Sequence, residues 1–183
     1  MPALIANATD RARTIRLMGF DVDGVLTDGS LFVGEQGEAF KRFNTLDGHG
    51  LKMLIDAGVA VAIISGRNSP AVARRATELG IRYVHQGIKN KVACMEVLLE
   101  QTELQADQFG FMGDDLPDLP VLVRCGFAAT TAEAFDPLPQ SAHWQATRAA
   151  GHGAVRELAE FILRARGAWD GIVAASREPG DHA

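Results

Sequence analysis

Asp21 and Asp23 stand two positions apart, just ahead of Gly24, where the apolar run Ile15-Arg-Leu-Met-Gly-Phe20 ends. That run reads as a buried strand, so both carboxylates leave its end into one pocket. Burying like charges together is costly unless a cation or a reaction uses them. One carboxylate could attack phosphorus while the other moves protons. The competing reading is a carboxylate-rich turn that caps the next element.

Three further groups carry the same kind of chemistry. Ser65-Gly66-Arg67 follows the apolar run Val59-Ala-Val-Ala-Ile-Ile64 and offers a hydroxyl and backbone N–H groups to a phosphate oxygen, although Ser-Gly is also an ordinary turn. Lys91 opens a helical stretch, where the helix dipole does not favour a cation. Asp114, Asp115 and Asp118 fall within Gly113-Asp-Asp-Leu-Pro-Asp118. N-capping explains one of them and not all three, so the cluster suggests a hard-cation site.

Short apolar runs alternate with helical stretches in a way that can hold these groups. Strands are expected at 15–21, 59–64, 82–84, 109–112 and 126–129, with helices near 47–57, 69–79, 89–102, 115–124 and 153–166. Strands alternating with helices predict an α/β fold, a parallel sheet covered on both faces. In such sheets sites form beyond the carboxyl ends of the strands, where all four groups fall. The segment 31–43 breaks the alternation and reads as a β-hairpin about Gly34-Glu-Gln-Gly37, standing over the acidic motif.

Composition limits the alternatives. At 183 residues, 47% hydrophobic and 22% charged, the chain predicts one soluble domain. A net charge of −5 argues against a general nucleic-acid binder. No apolar run is long enough for a membrane span, and Met1-Pro-Ala-Leu-Ile-Ala6 does not read as a secretory signal. Cys94 and Cys125 are too far apart to form a metal pair and read as two free thiols. His49, His85 and His143 lack ligand-like spacing, and Trp144 and Trp169 read as core-packing residues, with subunit contact as the alternative.

In order, Asp-x-Asp at 21 and 23, Ser65, Lys91 and Gly-Asp-Asp-x-x-Asp at 113–118 resemble the motifs of the haloacid dehalogenase-like phosphatase superfamily. The resemblance implies a Rossmann-like parallel sheet and a Mg²⁺ cofactor. It implies Asp21 as nucleophile, forming an aspartyl-phosphate, and Asp23 as general acid and then base. Ser65 and Lys91 would bind the transferring phosphoryl group. The metal would be held by Asp21, Asp114 and the backbone carbonyl of Asp23, with Asp118 and the adjacent Asp115 orienting its surroundings. The spacing from Asp21 to Ser65 leaves room for the hairpin, one helix and one strand, and none for a helical cap domain. The site is therefore expected to be open, and covered by neighbouring subunits.

A longer set of segments narrows the resemblance: 21–29, Phe40-Lys41-Arg-Phe-Asn44 through Gly50, 63–69, 79–81, 113–120 and Gly151-His152 through Glu157. Together they are similar to the 3-deoxy-D-manno-octulosonate 8-phosphate phosphatases over roughly residues 14–167. This resemblance implies a cytoplasmic, Mg²⁺-dependent homotetramer that acts on a phosphorylated sugar acid in lipopolysaccharide biosynthesis, its hairpins (about 29–43) forming a central barrel. Residues 1–13 and 168–183 would be flexible termini. Substrate contacts are expected from Lys41, Asn44, Gly66, Arg67 and, from a neighbouring subunit, His152. Many members carry Arg in place of Leu46, and Arg or Lys in place of His152. These departures keep another nonulosonate phosphate, such as a sialic acid 9-phosphate, as an alternative substrate. A phospho-receiver signalling module uses similar parts, but it begins with adjacent acids and ends with its lysine, the reverse of this order.

Overall fold

The computed structural model describes residues 2–177. The chain runs α1 (Pro2–Thr14), β1 (Leu17–Phe20), β2 (Phe32–Gly34), β3 (Gly37–Phe40), α2 (Thr45–Asp56), β4 (Ala60–Ile64), α3 (Pro70–Glu78), β5 (Tyr83–His85) and α4 (Lys91–Thr102). It continues β6 (Phe109–Gly113), α5 (Leu119–Leu122), β7 (Phe127–Thr130), α6 (Leu138–Ser141), β8 (Trp144–Gln145), α7 (Ala154–Ala165) and α8 (Trp169–Ala175). Six parallel strands form one sheet in the order β5-β4-β1-β6-β7-β8. The strand order reverses at β1, which opens a crevice beyond its carboxyl end.

Alternation along each strand divides the core between two faces. Met18, Phe20, Val61, Ile63, Phe127 and Ala129 point toward α1, α2, α3 and α7. Leu17, Ala62, Ile64, Phe109, Phe111 and Ala128 point toward α4, α5 and α6. Helix starts follow their local chemistry. Ser69 caps α3 ahead of Pro70, and Asn90 accepts the Ala93 N–H to cap α4. Helix α7 has no capping side chain of its own. Asp47, from α2, accepts the N–H groups of Gly153 at 3.1 Å and Arg156 at 3.0 Å instead.

Within the stretches expected as flexible termini, 1–13 and 168–183, the described residues form α1 and α8. Helix α1 buries Ala8 and Ala12, and its Arg11 donates to the Gly126 carbonyl at 2.7 Å. Helix α8 places Trp169 under the Arg164 guanidinium, 4.6 Å from the ring centre. Helix α8 spans only seven residues, too few to show a period, and α1 packs through the small Ala8 and Ala12; the expected tail beyond 177 lies outside the described residues. Strand β8 was also missed, because two residues give no alternation to read. Helix α5 is shorter than the expected 115–124, since the chain before it forms the acidic turn. Among the described residues no helix is long and apolar enough to cross a membrane.

Candidate active site

The carboxyl end of β1 fixes the centre of the site. Phe20 lies between Ile63 of β4 and Met112 of β6, and the Asp21 N–H donates to the Met112 carbonyl at 3.0 Å. Beyond it the chain turns sharply through Gly24 at φ +88°. This glycine serves the site twice. Its φ is left-handed, and a Cβ there would sit 2.0 Å from Asp114 Oδ2. Gly113 plays a similar part at the end of β6, where a Cβ would fall 2.4 Å from that of Asp118.

Asp21, Asp114 and Asp118 each turn a carboxylate oxygen inward, and these oxygens all lie within 4.8 Å of one another. Burial, with the charge of Asp118 next, pushes the Asp21 pKa up to about 6. Burial, then Asp21, Asp118 and Asp115, pushes Asp114 up to about 8. The buried Oδ1 of Asp114 has no hydrogen-bond partner. Two buried acids with raised pKa values, one of them keeping an orphaned oxygen, fit a hard divalent cation. The cluster contains no histidine. His143 is structural, its Nδ1 accepting the Ala128 N–H at 2.8 Å.

Asp118 is buried and fully engaged: Oδ1 meets Lys91 Nζ at 2.6 Å and Oδ2 accepts the Asp114 N–H at 3.0 Å. Lys91 also lies 2.9 Å from Asp21. Burial disfavours the lysine charge, but Asp21 and Asp118 outweigh it, and its pKa is raised. Its position at the first turn of α4 is thus explained by carboxylates and not by the helix. Asp115 is exposed and accepts the Leu116 N–H. Both thiols are buried, and burial pushes Cys125 up to about 12.

Two cavities meet over Asp23 and Asp114. The smaller, about 250 Å³, is lined by Asp21, Ser65, Gly66, Arg67 and Lys91 among others. Ser65 is buried, and its Oγ accepts the Arg67 N–H at 3.3 Å, which leaves its proton free to donate. The larger, about 520 Å³, is lined by Asp28, Gly29, Thr131, Glu133, Phe135 and His152 among others.

The expected substrate contacts fall in different places. Gly66 and Arg67 border the smaller cavity, with the half-exposed Arg67 Nε 3.7 Å from Asp23. Asn44 does not reach either cavity; it caps α2 through Leu46 N–H and donates to the Gly151 carbonyl. Lys41 points inward to Asp23 Oδ1 at 2.5 Å, not toward open space. His152 borders the larger cavity of its own chain, where it was expected to act on a neighbour's site, because Gly151 is held by the Val25 carbonyl. Its Nε2 lies 3.1 Å from Arg42 Nη2 and its Nδ1 lies 2.9 Å from the Ala150 carbonyl. Arg42 donating to Nε2 and Nδ1 donating to the Ala150 carbonyl would satisfy both contacts. The permanent cation at this edge is Arg42, which also pairs with Asp28 at 2.5 Å. Arg42 and Glu38 were not named in the sequence reading, since their partners His152 and Ser69 lie far along the chain.

The fold and the acidic crevice define a haloacid dehalogenase-like hydrolase. No protein-family model matches the chain. Among curated proteins it is 40% identical to the 3-deoxy-D-manno-octulosonate 8-phosphate phosphatase KdsC of Yersinia pestis, over 91% of this chain and 89% of that one. A probable YrbI family phosphatase of Pseudomonas syringae superposes with a TM-score of 0.93 at 43% identity, covering 96% and 99% of the two chains. The 3-deoxy-D-manno-octulosonate 8-phosphate phosphatase of Moraxella catarrhalis, in complex with a magnesium ion, a phosphate ion and a KDO molecule, superposes at 0.90 and 35% identity, covering 92% and 97%. The chain belongs to the family of 3-deoxy-D-manno-octulosonate 8-phosphate phosphatases.

Proposed function

We propose that this chain is a Mg²⁺-dependent phosphoric monoester hydrolase that releases phosphate from 3-deoxy-D-manno-octulosonate 8-phosphate, in lipopolysaccharide biosynthesis. The observation that carries the reading is the Asp21–Lys91 pair at 2.9 Å beside the orphaned Asp114 oxygen, at the floor of two joined cavities.

In this reading the Asp21 carboxylate attacks phosphorus and forms an aspartyl-phosphate. Asp23 gives a proton to the departing sugar oxygen, then takes one from the water that attacks the same phosphorus. The Lys91 ammonium stabilises charge on the phosphoryl oxygens, and the Ser65 hydroxyl with the Gly66–Arg67 backbone holds them. Asp21, Asp114 and the Asp23 carbonyl would hold Mg²⁺, with Asp118 fixing the backbone at Asp114 and Asp115 flanking the cluster. Bound Mg²⁺ offsets the repulsion between a carboxylate nucleophile and a phosphate dianion. The larger cavity accommodates the sugar, and Arg42 and Arg67 supply cations for its carboxylate.

The protein acts as a cytoplasmic homotetramer assembled through the β2–β3 hairpin. In support, Leu31, Val33 and Phe40 expose apolar surface on that hairpin, and Phe40 stacks on Phe32 at 4.3 Å. A panel of phosphorylated sugar acids, assayed for released phosphate with Mg²⁺, tests the substrate. The highest kcat/KM is expected for the 8-phosphate of the eight-carbon acid. A clearly higher value for a nonulosonate 9-phosphate would replace it.

A further inference from the structure

The site holds a second buried lysine. The Lys41 side chain is only 2% exposed; its Nζ donates to Asp23 Oδ1 at 2.5 Å and lies 3.0 Å from Glu38 Oε2. Glu38 in turn accepts the Ser69 hydroxyl through Oε1. Ser69 is buried and caps α3, so a continuous polar chain runs from a helix of the core, through the hairpin, to Asp23.

A hairpin lysine ordinarily extends into water. Burying its ammonium costs several kcal/mol unless carboxylates and hydrogen bonds compensate. Here two carboxylates do so, and they come from different segments of the chain. The two buried lysines divide the site. Lys91 joins Asp21 to Asp118 on the phosphoryl side, and Lys41 joins Asp23 to Glu38 on the leaving-group side.

We propose that Lys41 is a positioning residue for Asp23. By fixing Oδ1 it leaves Oδ2, the oxygen near Arg67, to meet the departing sugar oxygen and the attacking water. Glu38 and Ser69 hold the lysine in turn. The inference rests on the reading of Asp23 as the acid–base group. An acid that is free to rotate loses near-attack geometry, and a misplacement of about 1 Å costs about 10²-fold in rate.

The test compares two leaving groups. A sugar alkoxide needs a proton to depart, whereas p-nitrophenolate departs without one. Lys41→Met should lower kcat for the sugar phosphate by about 10²-fold, with KM within about twofold. The rate constant of its nitrophenolate burst, which reports formation of the aspartyl-phosphate, should stay within about threefold of the unmodified enzyme. Glu38→Gln should show the same inequality to a smaller degree, and it decides the question alone if Lys41→Met does not fold. Equal loss with both substrates, no loss, or a change confined to KM would overturn the proposal. Asp23→Asn is run alongside. If it shows the inequality and the other two variants do not, only the assignment of Lys41 fails. If Asp23→Asn itself lacks the inequality, the acid–base reading fails, and the proposal with it.

Discussion

Asp118 accepts the backbone N–H of Asp114 at 3.0 Å, while the Asp114 side chain keeps a buried oxygen that no protein group satisfies. One aspartate thus holds the other with an oxygen left over for a ligand. The arrangement is unfavourable when empty of charge compensation, as the rise of the Asp114 pKa to about 8 records.

The first prediction follows from that rise. A carboxyl raised from 3.8 to about 8 binds its proton more tightly in the folded than in the unfolded chain. In the metal-free protein its contribution to stability therefore falls as pH rises through this window and levels off above it. Mg²⁺ must displace that proton, so its affinity should climb by about tenfold per pH unit up to pH ~8. Thermal melts with Mg²⁺ and with EDTA at pH 6 and pH 8 check this. The metal-induced rise in Tm should be larger at pH 8, and equal rises would contradict the assignment.

Metal choice is the second. EDTA should silence turnover, and Mg²⁺ should restore it. Ca²⁺ should restore it poorly, because its larger and looser coordination misplaces the phosphate. Asp114→Ala should raise the Mg²⁺ concentration needed for half-maximal rate. Metal-independent hydrolysis would remove the cation from the site.

The nucleophile is the third. Asp21→Asn should leave the fold intact and abolish phosphate release, since an amide does not attack phosphorus. Asp23→Asn should retain about 10⁻²–10⁻⁴ of the rate on an alkyl phosphate. Full activity of folded Asp21→Asn protein would assign the attack elsewhere.

The fourth concerns Arg42. Arg42→Gln should raise KM for the phosphorylated sugar acid by about tenfold, the worth of one partly exposed charge-assisted contact. A sugar phosphate without a carboxylate should respond less. A uniform change across both substrates would mean that Arg42 serves the hairpin through Asp28 and not the ligand.

Assembly is the fifth. Light scattering should give four chains per particle, and Val33→Glu with Phe40→Glu should reduce it by placing charge on the exposed hairpin face. A fully active monomer would refute both the barrel and the covering of the open site.

How much of this was legible in the sequence depended on whether a signal was local. Asp21 and Asp23 stood out because two acids at the end of an apolar strand have no packing purpose. Lys91 stood out because its helix does not want it. The hairpin and its place over the acidic motif were legible, yet the partners of its side chains were not. Nothing near Lys41 announces that its partner is Asp23, 18 positions earlier and reached only when the hairpin folds back. The surroundings of His152 were hidden for the same reason: its neighbour Arg42 lies 110 positions away. Asn44, expected at the substrate, caps α2 and holds the Gly151 carbonyl 107 positions away, a contact that chain order does not show.

The Asp47 clamp on α7 has a consequence for the order of events during synthesis. The groups it joins lie 106 and 109 residues apart, so the carboxylate is made long before the amides it serves. A growing chain that has reached α4 holds Asp47 without those partners, and the α2 face that α7 will cover is still bare. Non-local contacts of this span are made late and slowly. The ribosome must therefore deliver nearly the whole domain before the crevice acquires its final walls. A nascent chain stalled ahead of Gly153 should be the form most readily captured by a chaperone or cut by a protease.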